Sequence, residues 1–218
     1  MATILLADDH AIVREGLKTF IQNIIPHSDI EEAYDGASAF KKIKRNNYAL
    51  IILDVNMPAT DSFGLVSNIL AARPKSKILI FSMNSEEIFA KKFLNLGALG
   101  YLSKYASEDE FRLAIENVMS NKRYVSPSFR QALTESALGK NSNNQNPFDL
   151  LSPRELEIVR HLIKGASVLQ IGTCLNLHTS TIGTHKARIF EKLHCKNIIE
   201  INELAIMNSF TQPNPDES

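Results

Sequence analysis

The sequence predicts an α/β fold built on a five-stranded parallel sheet, followed by a small all-helical domain. In the first half of the chain, five β-prone apolar runs alternate with segments of helical spacing, which favours a doubly wound sheet with right-handed crossovers. The run at 49–53 is apolar throughout, as in a strand buried on both faces. Beyond an asparagine-rich stretch, only helical patterns recur.

Strands and helices alternate in a regular order. The predicted strands are residues 3–7, 30–33, 49–53, 77–81 and 99–102. The predicted helices are residues 11–25, a segment opening at Gly36, and residues 63–72, 85–96 and 107–119. Apolar spacing places Ile12, Val13, Leu17, Phe20, Ile21 and Ile24 on one face of the first helix. The second helix carries the apolar residues Ala37, Phe40 and Ile43. Gly97 suits a left-handed C-cap, and Ser107 with Glu110 forms a capping box.

Polar side chains follow four of the five strands where each strand ends. They are Asp8, Asp9, Asp54, Ser82 and Lys104. Carboxyl ends of parallel strands lie at one edge of the sheet, where ligands bind in open α/β folds. Any one of these residues alone is explained by capping or a turn, whereas the set predicts a site.

The three carboxylates of this set predict a magnesium site. Crowded carboxylates repel one another unless a cation lies among them, and Mg²⁺ prefers oxygen ligands while keeping several waters. Asp8, Asp9 and Asp54 are the predicted metal ligands, and the backbone carbonyl of Asn56 completes the set.

The same residues predict phosphoryl chemistry at Asp54. Its carboxylate is the candidate nucleophile, which forms an acyl phosphate. Lys104 is expected to neutralise the phosphoryl oxygens as a point charge. The Ser82 hydroxyl is expected to donate to one of those oxygens, which couples the chemical change to a loop movement.

Residues 1 to 122 resemble the receiver domain of two-component response regulators, which has a flavodoxin-like fold. The matching residues are Asp8-Asp9, Asp54 with Met57-Pro58, Ser82, and the run 97–104. The resemblance implies phosphotransfer from a sensor histidine kinase to Asp54, and it places Tyr101 at the family's switch aromatic. The sequence departs from the family at Ser62, where glycine is usual, and at Met83, which is bulkier than the usual residue.

Composition predicts the domain limits. The receiver is expected at 1–122, a linker at 123–149, a second domain at 150–210 and a disordered tail at 211–218. Within the linker, residues 124–138 keep some apolar spacing and predict a short helix with Pro127 near its start. The stretch 139–147 is polar, as in a flexible tether.

The second domain carries four helical segments. Ser152, Pro153 and Glu155 form a capping box with proline at the first helical position. Further helices are predicted at 167–175, 179–193 and 198–207, with a turn at Asn176 between the second and third. Two short helices around a tight turn, the second with exposed basic residues, indicate a helix-turn-helix.

The third of these helices is the candidate DNA-recognition element. Basic side chains position a protein on phosphates, and small polar or methyl-bearing side chains can read base edges. The predicted phosphate contacts are Lys186, Arg188 and Lys192. The predicted groove-facing residues are Thr181, Gly183, Thr184 and Ala187.

The second domain is similar to LuxR-type helix-turn-helix domains. The residues that carry the similarity are Leu151 to Val159, Gly165, Ile171, Leu175, Thr181-Ile182, His185 and Lys192-Leu193. With the receiver, the chain resembles the NarL/FixJ class of response regulators over nearly its whole length. This implies binding to double-stranded DNA as a homodimer when phosphorylated, with residues 197–208 as the candidate dimer helix. Gly183 and Ala187 stand where long base-reading side chains are common, which predicts a different sequence preference.

Composition bounds the other possibilities. The formal net charge is zero, so nucleic-acid contacts must come from local patches. The sequence has no apolar run long enough for a membrane span and no signal-peptide pattern. Two cysteines, Cys174 and Cys195, favour a reducing compartment, so we expect a cytoplasmic protein. Four histidines share the second domain with both cysteines, but no spacing typical of zinc ligands occurs.

The sequence therefore predicts a phosphorylation-controlled transcription factor. Its chemistry is expected to be limited to its own phosphorylation and dephosphorylation, so it is not predicted to be an enzyme. One alternative is a DNA-binding regulator that acts without phosphorylation. A second alternative, an aspartyl-phosphate phosphatase, is disfavoured because Asp54 ends the third strand and no substrate-cap segment is present.

Overall fold

The computed structural model describes residues 2–137 and 146–210. Its strands are β1 (Thr3–Ala7), β2 (Asp29–Ala33), β3 (Leu50–Leu53), β4 (Ile78–Ser82) and β5 (Gly100–Ser103). The helices among them are α1 (Ala11–Ile24), α2 (Gly36–Arg45), α3 (Ser62–Ala72), α4 (Glu86–Leu96) and α5 (Glu108–Met119). There follow α6 (Pro127–Ala137), a 3₁₀ turn (Pro147–Leu150), α7 (Pro153–Ile163), α8 (Val168–Leu175), α9 (Thr179–Leu193) and α10 (Ile198–Met207). The predicted α/β domain followed by a helical domain is confirmed.

The five strands form one parallel sheet in the order β2-β1-β3-β4-β5. The strand order reverses between β1 and β3, and this is the point at which ligands bind in open α/β sheets. Asp8 follows β1 and Asp54 follows β3. The topology therefore brings these two carboxylates to one edge of the sheet.

Apolar side chains cover both faces of the sheet. α1 and α5 pack on one face, and α2, α3 and α4 pack on the other. The apolar face predicted for α1 includes Ile12, but the structure leaves Ile12 89 % exposed. In α2, Ala37 is exposed and Ala39 is buried. Apolar spacing gives the direction of the buried stripe of a helix but not how far the stripe extends along the sheet.

The predicted helix ends are confirmed where a specific residue determines them. Gly97 ends α4 with φ +113°, a conformation that is strained for residues with a Cβ. Ser107 caps α5 and Ser152 caps α7, each in a capping box with the glutamate three residues on. Asn176 ends α8 in the left-handed region, which makes the tight turn into α9.

The segment between the two predicted domains is partly packed. Tyr124 forms a bridge to Gly100 at the edge of the sheet, and Phe148 is fully buried. The composition-based limits of the linker thus remain a prediction. Most of the predicted tether at 139–147 and all of the predicted tail at 211–218 lie outside the described residues.

The helical domain packs against the receiver-like domain at two places. At the first, α7 lies against α3. At the second, the Phe210 ring contacts Phe89 of α4 edge-on, with centroids 5.1 Å apart, and Phe148 with centroids 4.7 Å apart. Lys92 of α4 donates to the Leu151 carbonyl at 2.6 Å. Within residues 2–137 and 146–210, none of the helices has the length and apolar character that a membrane crossing requires.

Candidate functional site

An acidic pocket lies at the sheet edge where β1 and β3 end. Asp8 and Asp54 are each only 1 % exposed. Their backbone amides continue the ladder, since Asp54 donates to the Ala7 carbonyl at 2.8 Å and Asp8 donates to the Ala33 carbonyl at 3.0 Å. The strands therefore fix both carboxylates at their bases. This is the convergence that the strand-end pattern predicts.

Lys104, which follows β5, reaches across the sheet edge into this pocket. Its ammonium donates to Asp8 Oδ2 at 2.6 Å and to Asp54 Oδ2 at 2.9 Å. Burial alone would lower the pKa of Lys104, but the two carboxylates outweigh it and leave that pKa raised. Burial raises the pKa of Asp54, and the Lys104 charge offsets part of this rise. Lys104 is thus held as a cation against the carboxylates.

Asp9 and His10 complete the pocket. His10 Nδ1 lies 3.1 Å from Asp8 Oδ1 and 3.0 Å from Asp9 Oδ1. His10 is not among the site residues predicted from the sequence. Its adjacency to Asp8-Asp9 was the available signal, but the direction of a loop side chain cannot be inferred from sequence.

The residues fit a divalent cation with oxygen ligands. Asp8, Asp9, His10 and Asp54 can present ligand atoms that all lie within 4.8 Å of one another. Asp9 Oδ1 is a buried atom that accepts no hydrogen bond of good geometry, although His10 Nδ1 lies 3.0 Å away, so a cation could take this oxygen as a ligand. Three carboxylates against one ammonium leave an excess of negative charge. Carboxylate oxygens suit Mg²⁺, and receiver domains in general bind Mg²⁺ at such an acidic pocket.

The predicted switch residues lie beside the pocket in one buried group. Ser82 is fully buried and its Oγ accepts from the Asn84 amide at 3.0 Å. Tyr101 is also fully buried, and its hydroxyl donates to the Asn84 carbonyl at 3.0 Å. Burial raises the pKa of that hydroxyl, so Tyr101 acts as a neutral donor. Asn84, which the sequence analysis did not single out, therefore joins Ser82 to Tyr101.

Asn56 connects this group to Asp54. Its backbone amide donates to Asp54 Oδ1 at 2.9 Å, and its side-chain oxygen accepts from the Asn84 amide group at 3.2 Å. The same oxygen accepts from the Arg160 guanidinium at 3.0 Å. Asn56 thus lies between the pocket, the switch residues and the second domain.

A buried ion pair of α7 contacts the loop after β3. The side chains of Arg160 and Glu157 are 4 % and 1 % exposed, and Arg160 Nη2 lies 2.6 Å from Glu157 Oε1. The Ser62 amide donates to Glu157 Oε1 at 3.1 Å, and Ser62 Oγ accepts from Arg160 at 3.2 Å. The sequence does not predict the burial of this pair, because opposite charges three residues apart on a helix are typical of a solvent-exposed face.

The predicted recognition helix α9 keeps its outer face open. Ile182, Ile189 and Leu193 are its buried residues. The exposed residues among the predicted DNA contacts are Thr181, Gly183, Thr184, Ala187 and Arg188.

The two lysines of that set are partly covered. Lys186 lies over the Phe190 ring at 5.5 Å from its centroid. Lys192 donates to Glu155 Oε2 at 2.7 Å.

Each of the two domains matches a known protein family. Residues 4–116 match the family described as response regulator receiver domain, and residues 149–205 match the family described as bacterial regulatory proteins, luxR family. The response regulator UvrY of Escherichia coli K12 is 32 % identical over 206 residues, which cover 94 % of each chain. The oxygen regulatory protein NreC of Staphylococcus carnosus is 32 % identical over 209 residues, covering 93 % of this chain and 96 % of NreC.

Solved structures show the same fold. RcsB of Salmonella enterica serovar Typhimurium, solved on the rprA promoter with the phosphomimetic BeF₃⁻, matches with a TM-score of 0.74 at 24 % identity. The match covers 93 % of this chain and 97 % of that one. On its two family matches and its full-length relatives, the chain belongs to the NarL/FixJ class of response regulators, in which a receiver domain is joined to a LuxR-type DNA-binding domain.

Proposed function

We propose that Asp54 is the phosphoacceptor of this response regulator and that a sensor histidine kinase is the donor. The observation that carries the proposal is the convergence on Asp54: a buried carboxylate at a strand end, with Lys104 at 2.9 Å and two more aspartates beside it. In the transfer, an Asp54 carboxylate oxygen bonds to phosphorus as the bond from phosphorus to the histidine nitrogen breaks, and the imidazole leaves with that electron pair.

The neighbouring residues have distinct roles in this proposal. Asp8, Asp9, Asp54 and the backbone carbonyl of Asn56 would hold Mg²⁺, which when bound would neutralise charge on the transferring phosphoryl group. Lys104 moves from the carboxylates to the phosphoryl oxygens, and its raised pKa keeps it charged at neutral pH.

The switch function is assigned to Ser82 and Tyr101. A phosphoryl oxygen on Asp54 attracts the Ser82 hydroxyl, which now accepts from the Asn84 amide. Movement of Ser82 therefore disturbs Asn84 and, with it, the hydrogen bond from Tyr101. A local charge change is in this way converted into a rearrangement of the loop after β4.

The output is DNA binding through α9. The groove-facing residues are Thr181, Gly183, Thr184 and Ala187, and the phosphate contacts are Lys186, Arg188 and Lys192. The exposure of the outer face of α9 supports these assignments. Lys192 must leave Glu155 to reach a phosphate. α10 presents Ile199, Ile206 and Met207 at 65 %, 80 % and 82 % exposure, which supports a homodimer through this helix.

The test combines phosphorylation with DNA selection. Wild type and Asp54→Ala are incubated with acetyl phosphate and Mg²⁺, separated on phosphate-affinity gels, and used to select genomic fragments. We expect a shifted band and tighter DNA binding for wild type alone. Equal DNA binding by both proteins in all conditions would instead identify a regulator that acts without phosphorylation.

A further inference from the structure

The guanidinium of Arg160, in the DNA-binding domain, contacts the segment that follows Asp54. Its Nη1 donates to the Val55 carbonyl and, at 3.0 Å, to Asn56 Oδ1. Its Nη2 donates to Ser62 Oγ at 3.2 Å and to Glu157 at 2.6 Å. One planar guanidinium thus binds the two residues after Asp54 and the first residue of α3. A fork of fixed geometry restrains what it binds more tightly than a flexible ammonium does.

Ser62 adapts this chain to that contact. Its hydroxyl donates to the Val55 carbonyl and accepts from Arg160, while its amide donates to Glu157. The receiver family usually has glycine at this position, which has no hydroxyl to offer. The departure seen in the sequence is therefore part of the interdomain contact.

The restraint extends from Arg160 to the switch residues. Asn56 Oδ1 accepts from both Arg160 and Asn84. The contact with Asn56 uses the Asn84 side chain. The Asn84 backbone N–H donates to Ser82 Oγ, and the Asn84 backbone carbonyl accepts from the Tyr101 hydroxyl. Ser82 cannot move toward a phosphoryl group on Asp54 without disturbing this chain of hydrogen bonds.

The contact does not act by covering the recognition helix. Arg160 and Glu157 belong to α7, whereas the outward residues Thr184, Ala187 and Arg188 of α9 are exposed. The residues that Arg160 contacts in the other domain are Val55, Asn56 and Ser62, so the effect inferred for this contact is one on the receiver.

We propose that Arg160 is a positioning residue for the acidic pocket, so that the docked DNA-binding domain slows phosphorylation of Asp54. This rests on the proposed function of Asp54 and names the second domain as its regulator. Docked Arg160 holds residues 55–62 in their resting arrangement, and phosphorylation must release them. Because the phosphorylated arrangement requires residues 55–62 to be released, a phosphoryl group on Asp54 is in turn expected to weaken domain docking.

The experiment uses the full chain with the buried charges removed together. Glu157→Gln with Arg160→Met leaves no unpaired buried charge and removes the fork from Val55 and Asn56. We expect phosphorylation by acetyl phosphate with Mg²⁺ to be faster by about fivefold or more, which corresponds to a barrier lowered by about 1 kcal/mol. Ser62→Gly, which keeps the ion pair, is expected to give a smaller change in the same direction.

The matched control is Arg154→Met. Arg154 also crosses the interface, donating to Asp61 at 2.7 Å, but it does not contact residues 55 and 56. We expect its phosphorylation rate to stay at the wild-type value. A control that is accelerated as much as the double variant would overturn the positioning role and leave general undocking as the cause.

A second measurement needs neither metal nor phosphodonor. Hydrogen exchange in peptides that cover Val55 and Asn56 but end before Asp61, the partner of Arg154, is expected to rise in the metal-free double variant and to match wild type in Arg154→Met. Unchanged rates and unchanged exchange in the double variant would refute the proposal for Arg160 while wild-type labelling at Asp54 still supports the phosphoacceptor. Absence of wild-type labelling would refute the phosphoacceptor itself.

Discussion

Lys104 and Arg160 are both buried cations, but their surroundings differ in charge. Lys104 contacts two aspartates with a third beside them, so the acidic pocket is left with a negative excess. Arg160 has one glutamate, and its remaining contacts are neutral oxygens of Val55, Asn56 and Ser62. The balance of charge therefore distinguishes a ligand site from a structural contact. The acidic pocket can accept another cation, whereas the charges of Arg160 and Glu157 in the α7 contact cancel, and we call this contact closed.

The largest expected effect comes from breaking the closed contact. Glu157→Ala leaves the Arg160 charge buried without a carboxylate, and we expect a loss of about 3–5 kcal/mol in the free energy of unfolding. Urea unfolding followed by circular dichroism measures it. The double variant Glu157→Gln, Arg160→Met is the control and is expected to lose far less. An equal loss in both would show that lost packing, and not the unpaired charge, is responsible.

The acidic pocket should respond differently, because a second cation can replace the first. Lys104→Met leaves crowded, buried carboxylates, and we expect the metal-free protein to lose about 3 kcal/mol of stability. Saturating Mg²⁺ is expected to restore most of it, since a ligand at about 100 times its Kd contributes about 2.7 kcal/mol. The same unfolding measurement with and without Mg²⁺ checks this. Recovery of Glu157→Ala by Mg²⁺ would contradict the distinction between the two sites.

Acid is expected to lower the free energy of unfolding through His161, which lies in α7. Burial, helped by the Arg160 charge, lowers the pKa of His161 to about 4. His161 is therefore neutral in the folded protein at neutral pH. Its contribution to the free energy of unfolding is fully present above the pKa of histidine in the unfolded chain, and it is lost as the pH falls toward 4. At about 1.4 kcal/mol per pKa unit the full shift corresponds to about 3 kcal/mol. Because His161 is only partly buried and solvent screens its charge, we expect a loss of about 2 kcal/mol. Unfolding of wild type and His161→Gln between pH 7 and pH 4 measures it, and an equal slope in both proteins would assign the loss elsewhere.

The smallest effect concerns an exposed surface rather than a buried charge. A Cβ at Gly183 of α9 would meet nothing within 4 Å, and the same holds for Gly16 of α1. Alanine in place of either exposed helical glycine is expected to stabilise the protein by about 0.5–1 kcal/mol. Gly183→Ala should nevertheless weaken DNA binding, because the added methyl group separates α9 from the groove, while Gly16→Ala should not. Equal DNA affinity in both variants would remove Gly183 from the interface.

Much of the fold and of the acidic pocket could be predicted because local rules govern them. Strand ends deliver Asp8, Asp54, Ser82 and Lys104 to one edge whatever the loops do. The pair Arg160–Glu157 could not be predicted, since its partners Val55 and Asn56 lie more than a hundred residues away in the chain. Such contacts depend on how two domains dock, and periodicity carries no information on docking.

The exposure of Ile12 has a similar cause. It has the apolar character of a core residue, but it lies in the first turn of α1 and remains 89 % exposed. His10 shows the converse case. A polar loop residue was passed over because its direction toward Asp8 and Asp9 depends on backbone geometry that sequence does not encode locally.

The aromatic contact of Phe210 has a mechanical consequence for the DNA-binding domain. A body attached at one point can turn about it in any direction, whereas a second, separated attachment leaves only rotation about the line that joins the two. Phe210 against Phe89 is one attachment, and the contact of α7 with residues 55–62, to which Arg154 and Arg160 both contribute, is the other. Release of either alone therefore gives a hinged domain that turns about the remaining one, and free tumbling requires both to open.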